Sequence, residues 1–342
     1  MIQRIDVSTF LKHQDSGLIL DVRSPGEYEH AHIPGAVSLP LFSDAERKVV
    51  GTAYKQESRE TAIKIGLDYF GPRMRAVVEQ IETLTANKSK KVLVHCWRGG
   101  MRSGAIAWLL DLYGFEVYLL DGGYKAFRNW VLAKFEIPYS FKLIGGYTGS
   151  GKTPLLEALQ NEDYQIVDLE ALASHKGSAL GGINLPPQPS QEMFENQLAV
   201  KFSELDAEKI IYLEDESQRI GNRNIPAGIW KQMQPSQVYF LDIPFEKRLD
   251  YLLKEYGTLP QDKLVTAILR IQKRLGGLET KNAIQYTIDG DLRSCYGILL
   301  KYYDKWYHKG LFTRPNAENL ITKVSLTEVE VQKTLDVLKK HL

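Results

Sequence analysis

A cysteine at the end of an apolar stretch offers the most specific chemistry in the sequence. Residues 92–94 (Val-Leu-Val) predict a short buried strand that runs directly into His95 and Cys96. The loop that follows has two glycines and two arginines, and a helical pattern runs from Arg102 to Leu112. Free N–H groups at a helix N-terminus favour an anion, and such surroundings lower the pKa of a thiol. The sequence therefore predicts a nucleophilic cysteine beside an anion-binding loop.

The predicted anion-binding loop comprises the six residues after the cysteine: Trp97, Arg98, Gly99, Gly100, Met101 and Arg102. A single cysteine is more often a small core residue, but the glycines and arginines beside Cys96 are not typical of a core. Cys295 lies in a helical pattern and is expected to be a core residue. Asp21 ends another predicted strand, Leu18 to Val22. We expect Asp21 to orient a loop arginine or the loop amides, with a surface turn carboxylate as the alternative.

A second anion site is predicted where residues 146–153 match the phosphate-binding pattern G-x4-G-K-[ST]. An apolar strand, Phe141 to Ile144, precedes this segment and a helix beginning at Pro154 follows it, which is the setting that the pattern requires. Glycines let the backbone wrap around phosphates, the lysine adds a positive charge, and the threonine can hold Mg²⁺. The predicted phosphate-binding residues are Gly146, Gly149, Ser150, Gly151, Lys152 and Thr153.

Charged residues further along the chain are predicted to serve the second site. Carboxylates that follow two apolar strands could hold a metal ion or act as a base: Asp168, Glu214, Asp215 and Glu216. Basic residues in loops and near a helix end are candidates for a phosphate-covering lid or an RNA contact: His175, Lys176, Arg219, Arg223, Arg270, Lys273 and Arg274. Asp168 could instead be a strand-end cap, and the basic residues could form a solvated helical face.

The order of the elements predicts an α/β fold in two domains. Short apolar strands alternate with helical stretches, which is typical of a parallel sheet flanked by helices. The strand at residues 141–144 starts a second unit of this kind. We expect one domain at residues 1–138 and a P-loop domain with a helical C-terminal part at residues 139–342. Ser325 and Glu328 are expected to form the capping box of the last helix.

Composition narrows the class of protein. With 342 residues, 44% of them hydrophobic and 25% charged, the chain can bury the cores of two domains. No apolar run matches the length of a membrane span and the N-terminus lacks the features of a signal peptide, so we expect a cytoplasmic protein without a membrane partner. Two cysteines exclude a zinc site built mainly from Cys, and a net charge of +1 does not by itself indicate a nucleic-acid binder.

Residues 1–138 resemble the rhodanese family. The resemblance rests on D-V-R-S-P-x-E-Y from Asp21, on H-I-P-G-A from His32, and on the Cys96 loop followed by Asp-Gly-Gly at residues 121–123. It implies that Cys96 carries sulfur or selenium as a persulfide or perselenide. The spacing from Cys96 to Arg102 is one residue longer than is usual in sulfur carriers and gives H-C-x5-R. This longer loop is similar to the phosphatase branch of the same fold and suits a donor that combines a phosphate with a transferable chalcogen.

The two units together resemble the tRNA 2-selenouridine synthase family over nearly the whole chain. The segments that carry the resemblance are H-C-W-R-G-G-M-R-S, G-G-Y-T-G-S-G-K-T, H-K-G-S, P-Q-P-S-Q, E-D-E-S and R-L-G-G. Membership implies that selenium from selenophosphate replaces the sulfur of wobble 2-thiouridine in tRNA, through an S-geranyl intermediate made from geranyl diphosphate. We therefore expect the tRNA anticodon loop and an enzyme that supplies selenophosphate as partners, no tightly bound cofactor, and Mg²⁺ as an optional ion.

Each anion site then receives its own role. The resemblance assigns selenium to Cys96 and the phosphate end of the donor to the loop at residues 97–102, whereas residues 146–153 would receive the diphosphate of geranyl diphosphate. Two other classes of protein remain open. One is an H-C-x5-R phosphatase, which would not need the second domain, and the other is a P-loop kinase regulated by a rhodanese domain, whose turnover would depend on Lys152 and not on Cys96.

Overall fold

The computed structural model describes residues 1–86 and 90–341, which form two compact units. The first unit contains Met1–Lys134 together with Glu195–Val200, and the second contains Phe135–Phe194 and Lys201–Leu342. Each unit has its own parallel sheet, which confirms the predicted α/β class.

The sheet of the first unit has five parallel strands in the order β1-β5-β4-β2-β3. The strands are β1 (Gln3–Ile5), β2 (Leu18–Asp21), β3 (Val37–Ser38), β4 (Lys91–His95) and β5 (Glu116–Leu120). The central strand β4 is buried along residues 92–95, because both of its faces are covered. It ends immediately before Cys96, so the sheet delivers the thiol to the carboxyl end of its middle strand.

Helices flank this sheet, and an apolar core packs against it. The helices are α1 (Val7–Lys12), α2 (Pro25–His30), α3 (Asp44–Gln56), α4 (Arg59–Phe70), α5 (Met74–Thr85), α6 (Met101–Tyr113) and α7 (Gly123–Lys134), with a 3₁₀ turn at Gly71–Arg73. The helix predicted at residues 102–112 is therefore present as α6. The apolar core includes Leu20, Val94, Ile106 and Leu119, and Cys96 lies at its edge.

The sheet of the second unit also has five parallel strands, in the order β12-β11-β6-β8-β7. The strands are β6 (Ser140–Gly146), β7 (Gln165–Val167), β8 (Ile210–Glu214), β11 (Gln237–Asp242) and β12 (Ile321–Ser325), and β9 (Arg219–Ile220) pairs with β10 (Arg223–Asn224) as a separate antiparallel hairpin. The predicted capping box at Ser325 is wrong, because Ser325 ends β12 and pairs with Asp242.

The helices of the second unit are α8 (Lys152–Asn161), α9 (Leu169–Leu172), α10 (Gln191–Ser203, of which residues 195–200 belong to the first unit), α11 (Ala227–Met233), α12 (Phe245–Tyr256), α13 (Gln261–Leu275), α14 (Gly277–Ile288), α15 (Leu292–Leu311), α16 (Ala317–Leu320) and α17 (Val331–Leu338). Helix α17 starts after Glu330, whose carboxylate accepts hydrogen bonds from Gln332 and Lys333 N–H. Cys295 lies on α15 and is buried in an apolar cluster with residues of α12, α13 and α14, which confirms its core assignment. No described helix has both the length and the apolar character needed to cross a bilayer.

A buried ion pair organises the carboxyl end of β2. Asp21 and Arg23 are almost fully buried, and Arg23 Nε donates to both Asp21 oxygens at 2.9 and 3.0 Å. Arg23 also donates to the Ala31 carbonyl and lies over the Tyr124 ring at 3.8 Å. Burial works against ionisation of Asp21, but the charge of His95 and then the hydrogen bonds and charge of Arg23 bring its pKa below the ordinary value. The pair fixes the segment that leads into α2.

Replacing Arg23 with Met should destabilise the first unit by about 3 kcal/mol, because Asp21 is then left charged and buried without a partner. Urea unfolding of the full chain at neutral pH measures the loss. Since the folded pKa of Asp21 is lowered, the stabilisation is complete above the ordinary carboxyl pKa and disappears as the pH falls through the folded value. The difference between variant and wild type should therefore narrow in acid.

The matched control is Arg75→Met, which removes an exposed ion pair with Glu79 on one helix and should leave the unfolding midpoint unchanged. Equal midpoints for Arg23→Met and wild type would contradict the stabilising role of the buried pair.

Candidate functional site

The structure places the Cys96 thiol where β4 turns into the loop that opens α6. Only 3% of the residue is exposed, so the thiol lies beneath the loop and not on its surface. Its Sγ atom is 3.1 Å from Ser103 Oγ, and Ser103 also donates to the Gly100 carbonyl. One side of the thiol therefore contacts apolar core, while the other side faces polar groups at the start of α6.

The N-terminus of α7 fixes the path of this loop. Tyr124 and Lys125 donate their backbone N–H groups to the carbonyls of Cys96 and Trp97, at 2.8 and 2.9 Å. Gly99 has a φ of +64°, and a Cβ atom there would lie 2.7 Å from the Leu120 carbonyl. A side chain at this position would therefore push the loop away from β5, which explains why the loop needs a glycine.

The loop favours the thiolate form of Cys96. Burial alone would raise the pKa of this thiol. Hydrogen bonds from the Ser103 side chain and backbone, the Arg98 backbone N–H and the charge of Arg102 outweigh burial and lower the pKa below that of a free cysteine. The two predicted arginines thus act differently, since Arg98 contributes through its backbone and Arg102 through its charge.

Glu27, which the sequence analysis missed, holds Arg102 in place. Arg102 donates to Glu27 Oε2 at 2.7 Å, and Glu27 also accepts the Ser24 N–H in the capping box of α2. Burial would raise the pKa of Glu27, but Arg102 lowers it to about 2. The role predicted for Asp21 is wrong: its carboxylate binds Arg23, neither a loop arginine nor the loop amides. The Ser-Pro-x-Glu capping pattern was the available signal for Glu27.

The second loop has the geometry that its sequence predicts. Gly146, Gly149 and Gly151 all have positive φ, at 156°, 80° and 72°. Lys152 begins α8 and its Nζ donates to the Gly146 carbonyl at 3.2 Å, so the loop closes on itself. Ser150 Oγ is buried and has no hydrogen-bond partner among the described residues. The turn offers backbone N–H groups and one free hydroxyl to a phosphate.

Side chains of helix α15 and of the segment that follows it hold the P-loop in place. Gly146 N–H donates to Tyr307 Oη at 3.0 Å, and Tyr307 donates to Asp215 Oδ2 at 2.7 Å. Asp215 is also paired with the buried guanidinium of Arg314. Burial, followed by the charge of Asp215, keeps the pKa of Tyr307 well above its ordinary value, so the hydroxyl stays a donor.

Most of the carboxylates predicted to bind a metal or act as a base have structural partners. Asp168 caps α9 through the Ala171 N–H, as its alternative interpretation expected, and buried Glu214 accepts the Leu169 N–H. Both oxygens of Asp215 are engaged by Arg314 and Tyr307, so this carboxylate does not fit a Mg²⁺ ion beside the P-loop. Among the described residues, no group of three or more His, Cys, Asp or Glu side chains is arranged to hold a metal.

Glu216 is the last of the four carboxylates predicted to bind a metal or act as a base. It interacts with Glu170, a residue that the sequence analysis did not name. Both carboxyl groups face the space beside Lys152. Burial raises the pKa of each, and their mutual repulsion adds to the shift on Glu216. A Cβ atom at Gly177 would lie 2.8 Å from a carboxylate oxygen of each. Burial and the neighbouring carboxyl group thus favour the protonated form of Glu216, and the pair is suited to acid–base chemistry.

A cavity of about 1780 Å³ opens in front of the P-loop. Its lining includes five of the basic residues predicted as lid or RNA contacts, namely His175, Lys176, Arg219, Arg270 and Arg274. Arg223 and Lys273 are not part of the lining. The lining also includes apolar and aromatic side chains, with Leu180, Leu252, Leu299, Tyr303 and Trp306 among its members. The cavity thus places apolar side chains in the same space as an anion site.

Comparison with protein families matches both units. Residues 6–129 match the rhodanese-like domain, and residues 139–336 match the domain described as "tRNA 2-selenouridine synthase AAA domain". The molecule is therefore an α/β protein that joins a rhodanese-like unit, with a cysteine in its loop, to a P-loop unit.

Relatives of known name cover both units. A tRNA 2-selenouridine synthase from a Sulfurovum species is 33% identical over 91% of this chain and 93% of its own length. One from Hydrogenovibrio crunogenus is 37% identical over 76% of each chain, and one from Nitrosomonas europaea is 37% identical over 74% of this chain. The chain aligns with 66% of the Nitrosomonas europaea protein, just under two thirds of its length. The chain belongs to the tRNA 2-selenouridine synthase family.

The order of groups that lower the Cys96 pKa can be tested by alkylation. Ser103→Ala should raise this pKa most, because a direct hydrogen bond to Sγ is lost, Arg102→Met should raise it less, and Arg98→Met should leave it nearly unchanged. At neutral pH the iodoacetamide reaction of Ser103→Ala should be severalfold slower. Peptide-resolved mass spectrometry of alkylation at several pH values gives the titration curve of Cys96. A larger change in Arg98→Met than in Ser103→Ala would refute the assignment.

Proposed function

We propose that the protein replaces the sulfur of wobble 2-thiouridine in tRNA by selenium, with the chemistry divided between its two anion loops. The P-loop unit attaches a geranyl group to the sulfur, and the rhodanese-like unit supplies selenium through Cys96. The observation that carries the proposal is the P-loop cavity, which is lined by an anion-binding turn together with apolar and aromatic side chains.

This cavity suits a prenyl diphosphate better than a nucleotide held for hydrolysis. The N–H groups of residues 146–153, Lys152 and the free Ser150 hydroxyl can bind the diphosphate, and the apolar side chains of the cavity can contact the chain of a geranyl group. The carboxylate that would help bind Mg²⁺ in a nucleotide hydrolase, Asp215, is neutralised by Arg314. The interpretation of this unit as a kinase therefore has less support than its interpretation as a prenyl transferase.

Alkylation makes the sulfur a leaving group. The thiocarbonyl sulfur of 2-thiouridine attacks C1 of the geranyl chain, diphosphate leaves, and the double bond shifts from C2–S to C2–N3 with loss of the N3 proton. The Glu170–Glu216 pair lines the cavity beside Lys152, which suits it to accept this proton. The perselenide selenium can then add at C2, and the sulfur departs as geranyl thiol. A free thiol, as reductant, then attacks Cys96 Sγ, so that the selenium–sulfur bond breaks, Cys96 is left in a disulfide and the base is released as 2-selenouridine.

The rhodanese-like loop suits a small anionic donor. Cys96 lies beneath the loop and is nearly closed to solvent, and selenophosphate is small enough to bind against the loop amides. The loop amides and Arg102 can bind the phosphate end while the Cys96 thiolate attacks selenium. The selenium–phosphorus bond breaks, selenium stays on Sγ as a perselenide, and the phosphorus leaves with the electron pair as phosphite. The proposed place of the reaction is the cytoplasm, where tRNA is modified.

Two substitutions should separate the two halves of the reaction. Cys96→Ser should still geranylate an anticodon stem-loop RNA that carries 2-thiouridine, but should incorporate no selenium. Lys152→Ala should reduce geranylation about a hundredfold, the loss typical of removing one donor from a charged transition state. Given RNA that is already geranylated, Lys152→Ala should incorporate selenium normally. Mass spectrometry of the nucleosides from each reaction measures both steps.

Cys295→Ser serves as the control for loss of a thiol, because Cys295 is a buried core residue of the second unit. It should retain both activities. Selenium incorporation by Cys96→Ser at the wild-type rate, or wild-type geranylation by Lys152→Ala, would overturn the assignment of that loop.

A further inference from the structure

The proposed reaction requires the wobble base to leave its stack, and the protein must compensate for the lost stacking. Proteins that bind unstacked bases offer an exposed aromatic face together with cations for the backbone. Eight aromatic side chains line the described part of the P-loop cavity: Trp230, Tyr251, Tyr256, Tyr296, Tyr302, Tyr303, Trp306 and Tyr307. A stacking residue has to be accessible, so the exposure of each ring decides among them.

Trp306 is the one exposed ring in this set, with 40% of its surface accessible. Three tyrosines are already engaged: Tyr296 donates to the Tyr256 carbonyl, Tyr303 accepts the Ala179 N–H, and Tyr307 locks the P-loop. Tyr302 lies one turn before Trp306 on α15, with the ring centroids 6.5 Å apart in an edge-to-face arrangement. The exposed indole face therefore has aromatic support on the cavity side.

Unpaired cations surround the same ring. The Arg274 guanidinium lies 5.3 Å from the Trp306 centroid, and Lys309 Nζ lies 5.5 Å from it. Arg270, one turn before Arg274 on α13, also lines the cavity, and its charge lowers the pKa of His175 after the larger effect of burial. Among the described residues, no carboxylate forms an ion pair with any of these three cations, whereas Arg293 on α15 pairs with two.

Cations with no carboxylate partner among the described residues, beside an exposed aromatic ring, indicate a polyanion with flat bases, because contact with the ring leaves their positive charge uncompensated. The geometry points to Trp306 as the stacking platform for the unstacked wobble base, with Arg274 and Arg270 binding the flanking phosphates. No residue in the described part of the chain forms an ion pair with Arg274, so its side chain can move to a phosphate when a base arrives. The inference rests on the proposed function, and it names the residues that hold the RNA beside the P-loop.

A binding cycle between protein and RNA tests this inference. One anticodon stem-loop RNA carries 2-thiouridine at the wobble position, and a second RNA is abasic there. The wild-type full chain should bind the first RNA about tenfold more tightly, and Trp306→Ala should lose this preference. Trp306→Phe should largely restore it. Arg274→Gln should lower the salt dependence of RNA binding by about one ion, because one contact to a phosphate is lost.

Trp108 provides a matched control, since this exposed tryptophan lies on α6 of the first unit, and Trp108→Ala should behave as wild type. If Trp306→Ala still discriminates against the abasic RNA as wild type does, the stacking assignment is wrong. If wild type shows no preference between the two RNAs, the assignment is wrong as well. If wild type discriminates and Trp306→Ala does not, but wild type transfers no geranyl group, the stacking assignment stands and the proposed reaction fails.

Discussion

The structure depends on one constraint, which is that backbone N–H groups must converge on an anion at the end of a buried strand. Both loops meet it in the same way. Each follows a central strand of a parallel sheet, contains glycines at positive φ, and leads into a helix whose first N–H groups are free. The glycines in each loop have no side chains that could hold the backbone in place. Neighbouring elements of the fold must therefore fix each loop.

These supporting elements differ between the two units. The thiol loop is held by the first N–H groups of α7, which bind the carbonyls of Cys96 and Trp97. The P-loop is held by side chains, since Tyr307 binds Gly146 and Arg248 donates to the Thr148 carbonyl at 3.1 Å. Arg248 is itself paired with Asp304. The P-loop therefore depends on α12 and α15, the same helices that contribute apolar side chains to its cavity.

Local patterns in the sequence were sufficient to predict the two loops, the parallel sheets and α6, because each depends on residues close together in the chain. The errors involve partners that are far apart. Glu27 and Arg102 are separated by 75 residues in the chain, and Asp215 and Arg314 are separated by 99. No local sequence pattern predicts either pair. The prediction for Asp21 was wrong although its partner Arg23 is only two residues away in the chain. Only the fold shows that both side chains are buried and therefore pair with each other. Likewise, Ser325 joins an edge strand because β11 is there to pair with it.

The central claim is that Cys96 is the atom-transfer site and that its polar side, not its apolar side, determines its reactivity. Incubation of the protein with selenophosphate, followed by selenium K-edge absorption spectroscopy and peptide mass mapping, tests this claim most directly. The account predicts a selenium–sulfur bond on the peptide that contains Cys96 and none on the peptide that contains Cys295. Selenium on Cys295, or no covalently bound selenium on either peptide, would contradict it.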